Sequence, residues 1–180
     1  MRPILSKTVY TGPWLVSLLF LELGSTYIVG TFSGFVTPSV AASLAVFTIV
    51  MAGESGNAAT QALAVVVRGI ATGEIRKEDL PVVVVREALV GLLAGAVTGL
   101  LLFGLSLSIS RDVRFATAVG LALAVNLFIA KILGGVCPLV IHRLGIDPAV
   151  ASGPFITTVT DNASMLVYYG LAALILGSLG

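Results

Sequence analysis

From Ala88 to Ser110 the sequence runs 23 residues without a charged side chain. As a helix rising 1.5 Å per residue, that run is about 35 Å long, enough to cross a hydrocarbon core of roughly 30 Å. The rest of the chain repeats the pattern with small interruptions. Pro13 to about Gly34 is broken only by Glu22, and about Ser39 to Thr72 by Glu54, with Arg68 near its end. Val113 to Ile141 holds Arg114 near its start and Lys131 further in. Asn162 to Gly180 is a further 19 uncharged residues, continuing upstream through Asp161 to about Pro148. The reading is an all-α, polytopic membrane protein: one transmembrane domain over 1–180, with five helices at about 13–34, 39–72, 82–108, 113–142 and 148–178.

Composition excludes the other solvents. Hydrophobic residues make up 57% of the chain and charged ones 11%, against about 25% charged in an ordinary soluble domain. A soluble enzyme or a disordered tail does not have this balance. Ten Lys and Arg against nine Asp and Glu leave +1, so no basic stripe exists for nucleic acid. A single cysteine excludes a disulfide framework and a multi-thiolate metal site.

Punctuation and charge set the expected topology. Pro13, Pro38, Pro81 and Pro148 fall near predicted helix starts, where a missing N–H costs nothing, and Gly12, Gly73 and Gly145 fall in predicted loops. The first apolar run is too long for the core of a signal peptide. With the amino terminus inside, the cytoplasmic segments hold seven basic residues (Arg2, Lys7, Arg68, Arg76, Lys77, Arg86, Arg143) and the outer ones two, Arg111 and Arg114. Basic residues stay on the cytoplasmic side, so the amino terminus is expected inside and the carboxyl terminus outside, in the cell membrane. The mixed-charge stretch from about Gly73 to Glu87 is then a cytoplasmic connector. Gly91, Gly95 and Gly99, four residues apart, form a small-residue stripe that lets another helix approach closely.

Function is sought where polarity costs most. Glu22, Glu54, Lys131 and Asp161 each fall near the middle of a predicted span, where insertion of a charge costs about 2.5–3.5 kcal/mol. Their formal sum is minus two, which attracts cations. Pro154, Thr157, Asp161, Ser164 and Tyr168 recur at spacings of three and four, on one face of the last helix. That oxygen-rich stripe suits either a wall facing water and hard cations or an interhelical hydrogen-bond seam. Glu54, Asn57 and Gln61 form a matching face on the second helix, with Glu54 either a ligand or a counter-charge to Lys131. Gly53 and Gly56 there suggest a weakened or broken helix with free carbonyls. The lone His142 and Cys137 give no cluster for zinc or a soft metal, so carboxylate, amide and hydroxyl oxygens point to a hard cation. So few protein ligands suit Mg²⁺ best, because it keeps several of its waters.

On these residues the sequence resembles the transmembrane domain of the MgtE family of magnesium channels and transporters. The matching stretches are SGNAATQALAVVVRGIATGEI (Ser55 to Ile75), the Arg86–Glu87 pair followed by GLLAG (Gly91 to Gly95), and RLGIDPAVASGPFITTVTD (Arg143 to Asp161). The resemblance implies a homodimer in the lipid bilayer, with Mg²⁺ as the transported ion and the pathway near the dimer axis, lined by the second and fifth helices. It implies metal contacts from Asp161, the central selectivity carboxylate for a largely hydrated Mg²⁺, from Asn57, from the Thr157 carbonyl, and from Asp147 near the cytoplasmic mouth. Glu54 is a further candidate ligand, and Gln61, Thr158 and Ser164 candidate pore-lining residues. The usual Gly-Gly-Asn is Ser55-Gly56-Asn57 here, Lys131 stands where a neutral residue is expected, and Glu22 has no assigned counterpart. The amino-terminal and CBS domains with which many bacterial members sense intracellular Mg²⁺ lie outside this sequence, whether it is a natural short form or a piece of a longer chain.

Three other readings compete. The additional titratable groups are what a Na⁺- or H⁺-coupled magnesium exchanger would use. A non-transporting membrane subunit would need all four mid-membrane charges to be structural. Gly53-Glu54-Ser55-Gly56 matches the Gly-x-Ser-Gly of intramembrane serine proteases, but such a serine needs a histidine in hydrogen-bond reach, and His142 is predicted near the cytoplasmic edge. No enzyme is expected.

Overall fold

The structure, a computed structural model, describes residues 2–145, 147 and 153–177, with side chains from Gly12 onward. It comprises α1 (Arg2–Ser33), α2 (Pro38–Thr72), α3 (Leu80–Ser110), α4 (Val113–Arg143) and α5 (Gly153–Leu176), with one 3-10 turn at Lys77–Asp79 before α3. All five helices carry a stretch long and apolar enough to cross a bilayer. Helices suit that solvent because they satisfy their own backbone groups.

Local chemistry sets the ends. Pro38 and Pro81 open α2 and α3 in the first turn. Gly73 closes α2 in the left-handed conformation (φ 74°), its N–H donating to the Ile70 carbonyl. Between α3 and α4 the link is two residues. Arg111 takes the left-handed conformation (φ 56°) that caps α3, and the Asp112 carboxylate accepts from the backbone N–H of Arg114 (2.8 Å) and Phe115 (3.2 Å) to start α4. Gly145 follows α4, also with positive φ.

Several sequence expectations are corrected. Gly12 and Pro13 lie inside α1, which begins upstream at Arg2; neighbouring helices let membrane helices tolerate such residues. The connector after Gly73 is shorter than expected, because α3 starts at Leu80 and takes in Arg86 and Glu87. Glu87 is buried, with Arg86 Nε 3.8 Å from its Oε1. Helix α2 runs unbroken through Gly53 and Gly56. The expected start of the fifth helix at 148 lies outside the described residues.

Helix α4 is the centre, packing against α2, α3 and α5, while α1 rests on α5. The core holds Leu44, Met51, Ala59, Val119, Ala122, Ile156 and Tyr168. Apolar side chains also cover the outside, among them Leu19 and Phe20 on α1 and Leu93, Leu100 and Leu101 on α3. In water such a surface would aggregate; here it faces lipid. Two polar ties lock α5 in place. The Tyr168 hydroxyl donates to the Leu44 carbonyl (2.8 Å), and the Asn126 amide to the Ser164 carbonyl (3.4 Å).

Candidate ion site

Helices α2 and α5 pack together, and an open cavity of about 640 Å³ lies along their contact. On α2 its wall is formed by residues three and four apart, chiefly Gly53, Gly56, Asn57 and Thr60; α5 contributes Thr157 and Asp161. At Gly56 a Cβ would meet Thr157 Cγ2 at 3.4 Å, an ordinary contact, so the two helices leave room there.

The hydrogen bonds decide what this wall can offer. Thr60 gives its hydroxyl hydrogen to the Gly56 carbonyl (2.8 Å), and Thr157 gives its own to the Pro154 carbonyl (3.0 Å). With the donor taken up by backbone, each hydroxyl presents only oxygen lone pairs outward. Asp161 is half-buried and Asn57 exposed, and among the described residues neither side chain has a hydrogen-bond partner. The result is a set of hard oxygen acceptors around one carboxylate, in a space large enough for an ion with its water.

The structure brings Asp161, Asn57 and Thr157 into one cavity and sends the other candidates elsewhere. The Thr157 carbonyl, the atom implied by the resemblance, accepts the Thr160 hydroxyl (3.0 Å). Glu54 is exposed outside this wall. Gln61 is turned away from it, with its Oε1 accepting from Lys131 Nζ (3.3 Å). The wall is therefore rotated about one residue, 100° of helix, from the Glu54–Asn57–Gln61 face expected from spacing. Thr158 and Ser164 are buried in the chain's own core, Thr158 donating to the Pro154 carbonyl (3.0 Å). Asp147 is exposed beyond α4, outside the cavity wall. Ser55 is fully buried, and no hydrogen bond joins it to His142 among the described residues.

Sequence reading missed Thr48, Ile49 and Ala52 as wall residues, and noted Gly53 only for a helix break that would free carbonyls. Continuing the four-residue Gly56–Thr60 spacing upstream would have found Ala52 and Thr48. It also missed Asn162, whose amide donates to the Thr158 carbonyl (2.9 Å) and across to the Leu21 carbonyl of α1 (3.1 Å). Asp161 also borders a smaller cavity, shared with Glu22 of α1.

The family of MgtE, described as a divalent cation transporter, matches residues 48–171, which include every wall residue of the α2–α5 cavity. The chain belongs to the MgtE family. The magnesium transporter MgtE of Enterococcus faecalis is 37% identical over 162 residues, covering 90% of this chain and 35% of the relative. The Bacillus subtilis protein of the same name is 36% identical over 167 residues (93% and 37%), and that of Thermus thermophilus 32% over 163 (91% and 36%). The chain thus spans little more than a third of the length of these MgtE relatives. Membership makes it a multi-pass membrane protein of a transporter family, and not an enzyme.

Proposed function

We propose that this chain carries Mg²⁺ across the cell membrane as a homodimer, its ion path running between the α2–α5 faces of two copies. The observation that carries the reading is the gathering of Asp161, Asn57 and Thr157 around one open cavity. An open wall with oxygen donors is half of an enclosure, and a second copy related by a two-fold axis would complete it. Asp161 supplies the charge that selects a cation. Asn57 and the threonine hydroxyls contact the waters that Mg²⁺ keeps, since it dehydrates reluctantly. The relatives named above are magnesium transporters, which favours Mg²⁺ among the hard divalent ions. Helix ends rich in basic residues orient the amino terminus to the cytoplasm.

The test is Mg²⁺ flux into proteoliposomes, with Asp161→Ala compared against the parent. Flux falls to the level of empty liposomes if the carboxylate holds the ion. Undiminished and equally selective flux in the variant overturns the reading. Repeating the parent measurement with an opposing Na⁺ or pH gradient separates passive conduction from coupled exchange: a channel responds only to the Mg²⁺ gradient and the membrane potential.

A further inference from the structure

We infer that Glu22 and Asp161 together hold a second divalent cation, in an adjoining cavity of about 310 Å³ between α1, α2 and α5 that shares Thr48, Ala52 and Asp161 with the first. The inference rests on the ion path proposed above and adds a second station to it.

One residue's hydrogen bonds tie α1 to α5 beside this cavity. Asn162 follows Asp161 in sequence, and its amide binds the carbonyl of Leu21, which precedes Glu22. Gly24 permits this docking, because a Cβ there would strike the Asn162 Oδ1. The two carboxylates are thereby brought to one space, lined also by Ser25, Thr26 and Thr48. Among the described residues neither carboxylate has a basic partner, and Lys131 is held elsewhere by Gln61.

Ser25 is the independent sign that something binds here. It is 8% exposed, and its hydroxyl is buried without a hydrogen-bond partner. Ser17, Thr31 and Thr48 donate to the carbonyl four residues back; Ser55 is also buried without a partner but does not line this cavity, whereas Ser25 does. A buried hydroxyl left unpaired is costly unless a ligand uses it. Its lone pairs, the Thr48 oxygen and the two carboxylates form an all-oxygen donor set for a hard cation.

Charge selects a divalent ion. Two carboxylates in a membrane cavity carry minus two, which one divalent ion neutralises and one monovalent ion does not. No cluster of three or more acidic, histidine or cysteine residues exists among the described residues, so water must complete the shell and the hold is weak. Weak, adjacent sites are what conduction requires, since an ion held at one deep site does not leave. Asp161 borders both cavities, so an ion at either station draws on the same carboxylate and loosens its neighbour.

Mn²⁺ serves as the probe, its bound number per chain counted by electron paramagnetic resonance on the purified protein. Glu22→Gln is expected to lose one class of Mn²⁺ and keep the other, while Asp161→Asn loses both. Ser25→Ala keeps both charges and removes only the hydroxyl; it is expected to weaken one class about tenfold, a typical cost of disturbing the shell of a bound metal. An unchanged Mn²⁺ count in Glu22→Gln and unchanged affinity in Ser25→Ala, with Mg²⁺ flux still abolished by Asp161→Ala, overturn the second station alone. Flux that survives Asp161→Ala removes the path on which it rests.

Discussion

The α3–α4 seam and the α2–α5 seam both carry glycines, and the two use the missing side chain in opposite ways. Along α3–α4, neighbouring backbone fills the space. A Cβ on Gly91 would meet Phe128 Cα at 2.9 Å, one on Gly99 the Gly120 carbonyl at 2.6 Å, and one on Gly95 would strike the Ala124 carbonyl. Along α2–α5 the space is kept: Gly53 has nothing within 4 Å, and Gly56 has only the Thr157 side chain. The first seam is a joint, held by dispersion and backbone proximity where no hydrophobic force acts between helices. The second is a partial joint that leaves an open wall of oxygens. A glycine stripe in a membrane helix therefore marks either close packing or a cavity, and the facing residues decide which.

The sharpest way to break this comparison is at the joint. Gly95→Val should cost more than the 1–3 kcal/mol typical of overpacking, because the obstacle is the Ala124 backbone, which cannot change rotamer. The expected outcome is loss of folded protein, read as yield and thermal stability by size-exclusion chromatography. Gly134→Ala should act alike, since its Cβ would strike the Ala59 carbonyl of α2. Wild-type stability in both variants would mean the helices do not approach as described.

At the wall the same kind of change should spare folding and strike transport. Gly56→Ala sets its methyl at an ordinary 3.4 Å from Thr157 Cγ2. Folded yield should hold while Mg²⁺ flux falls, because the added methyl group narrows the cavity. A smaller effect is expected at Lys131, a buried residue whose ammonium donates to one neutral oxygen, Gln61 Oε1 (3.3 Å). A charge held this way recovers little of its desolvation cost, so Lys131→Met should leave stability unchanged or raise it by about 1–4 kcal/mol. A loss of several kcal/mol would show that Lys131 serves as a structural counter-charge.

The five spans were legible because bilayer thickness imposes a length that few apolar runs reach by chance. Asp161 was legible for the converse reason, as a carboxylate too costly to leave in lipid without a purpose. Spacing alone could not say which neighbour each residue of a stripe would meet. Thr157, Asp161, Ser164 and Tyr168 share a face of α5, yet its amino-terminal part borders the cavity while Ser164 and Tyr168 are packed within the core. Likewise Lys131 was offered a glutamate on grounds of charge, and the fold gives it Gln61, seventy positions away in the chain. Glu87 looked like part of a charged loop until α3 drew it inside. Each of these depends on long-range packing, which local periodicity does not contain.

The smallest predicted effect is also the one that isolates the principle. Gly53 and Gly95 are both mid-helix glycines, and replacing either by alanine restores the same backbone entropy, up to about 1 kcal/mol in favour of the helix. At Gly95 the Ala124 carbonyl blocks the new methyl and reverses the sign. At Gly53 nothing lies within 4 Å, so the gain remains and Gly53→Ala should raise thermal stability slightly. Measured side by side in the same detergent, the two substitutions should move the unfolding midpoint in opposite directions. If both lower it, then Gly53 too is pressed against something, and a second chain lying over the α2–α5 wall is the surface that would do so.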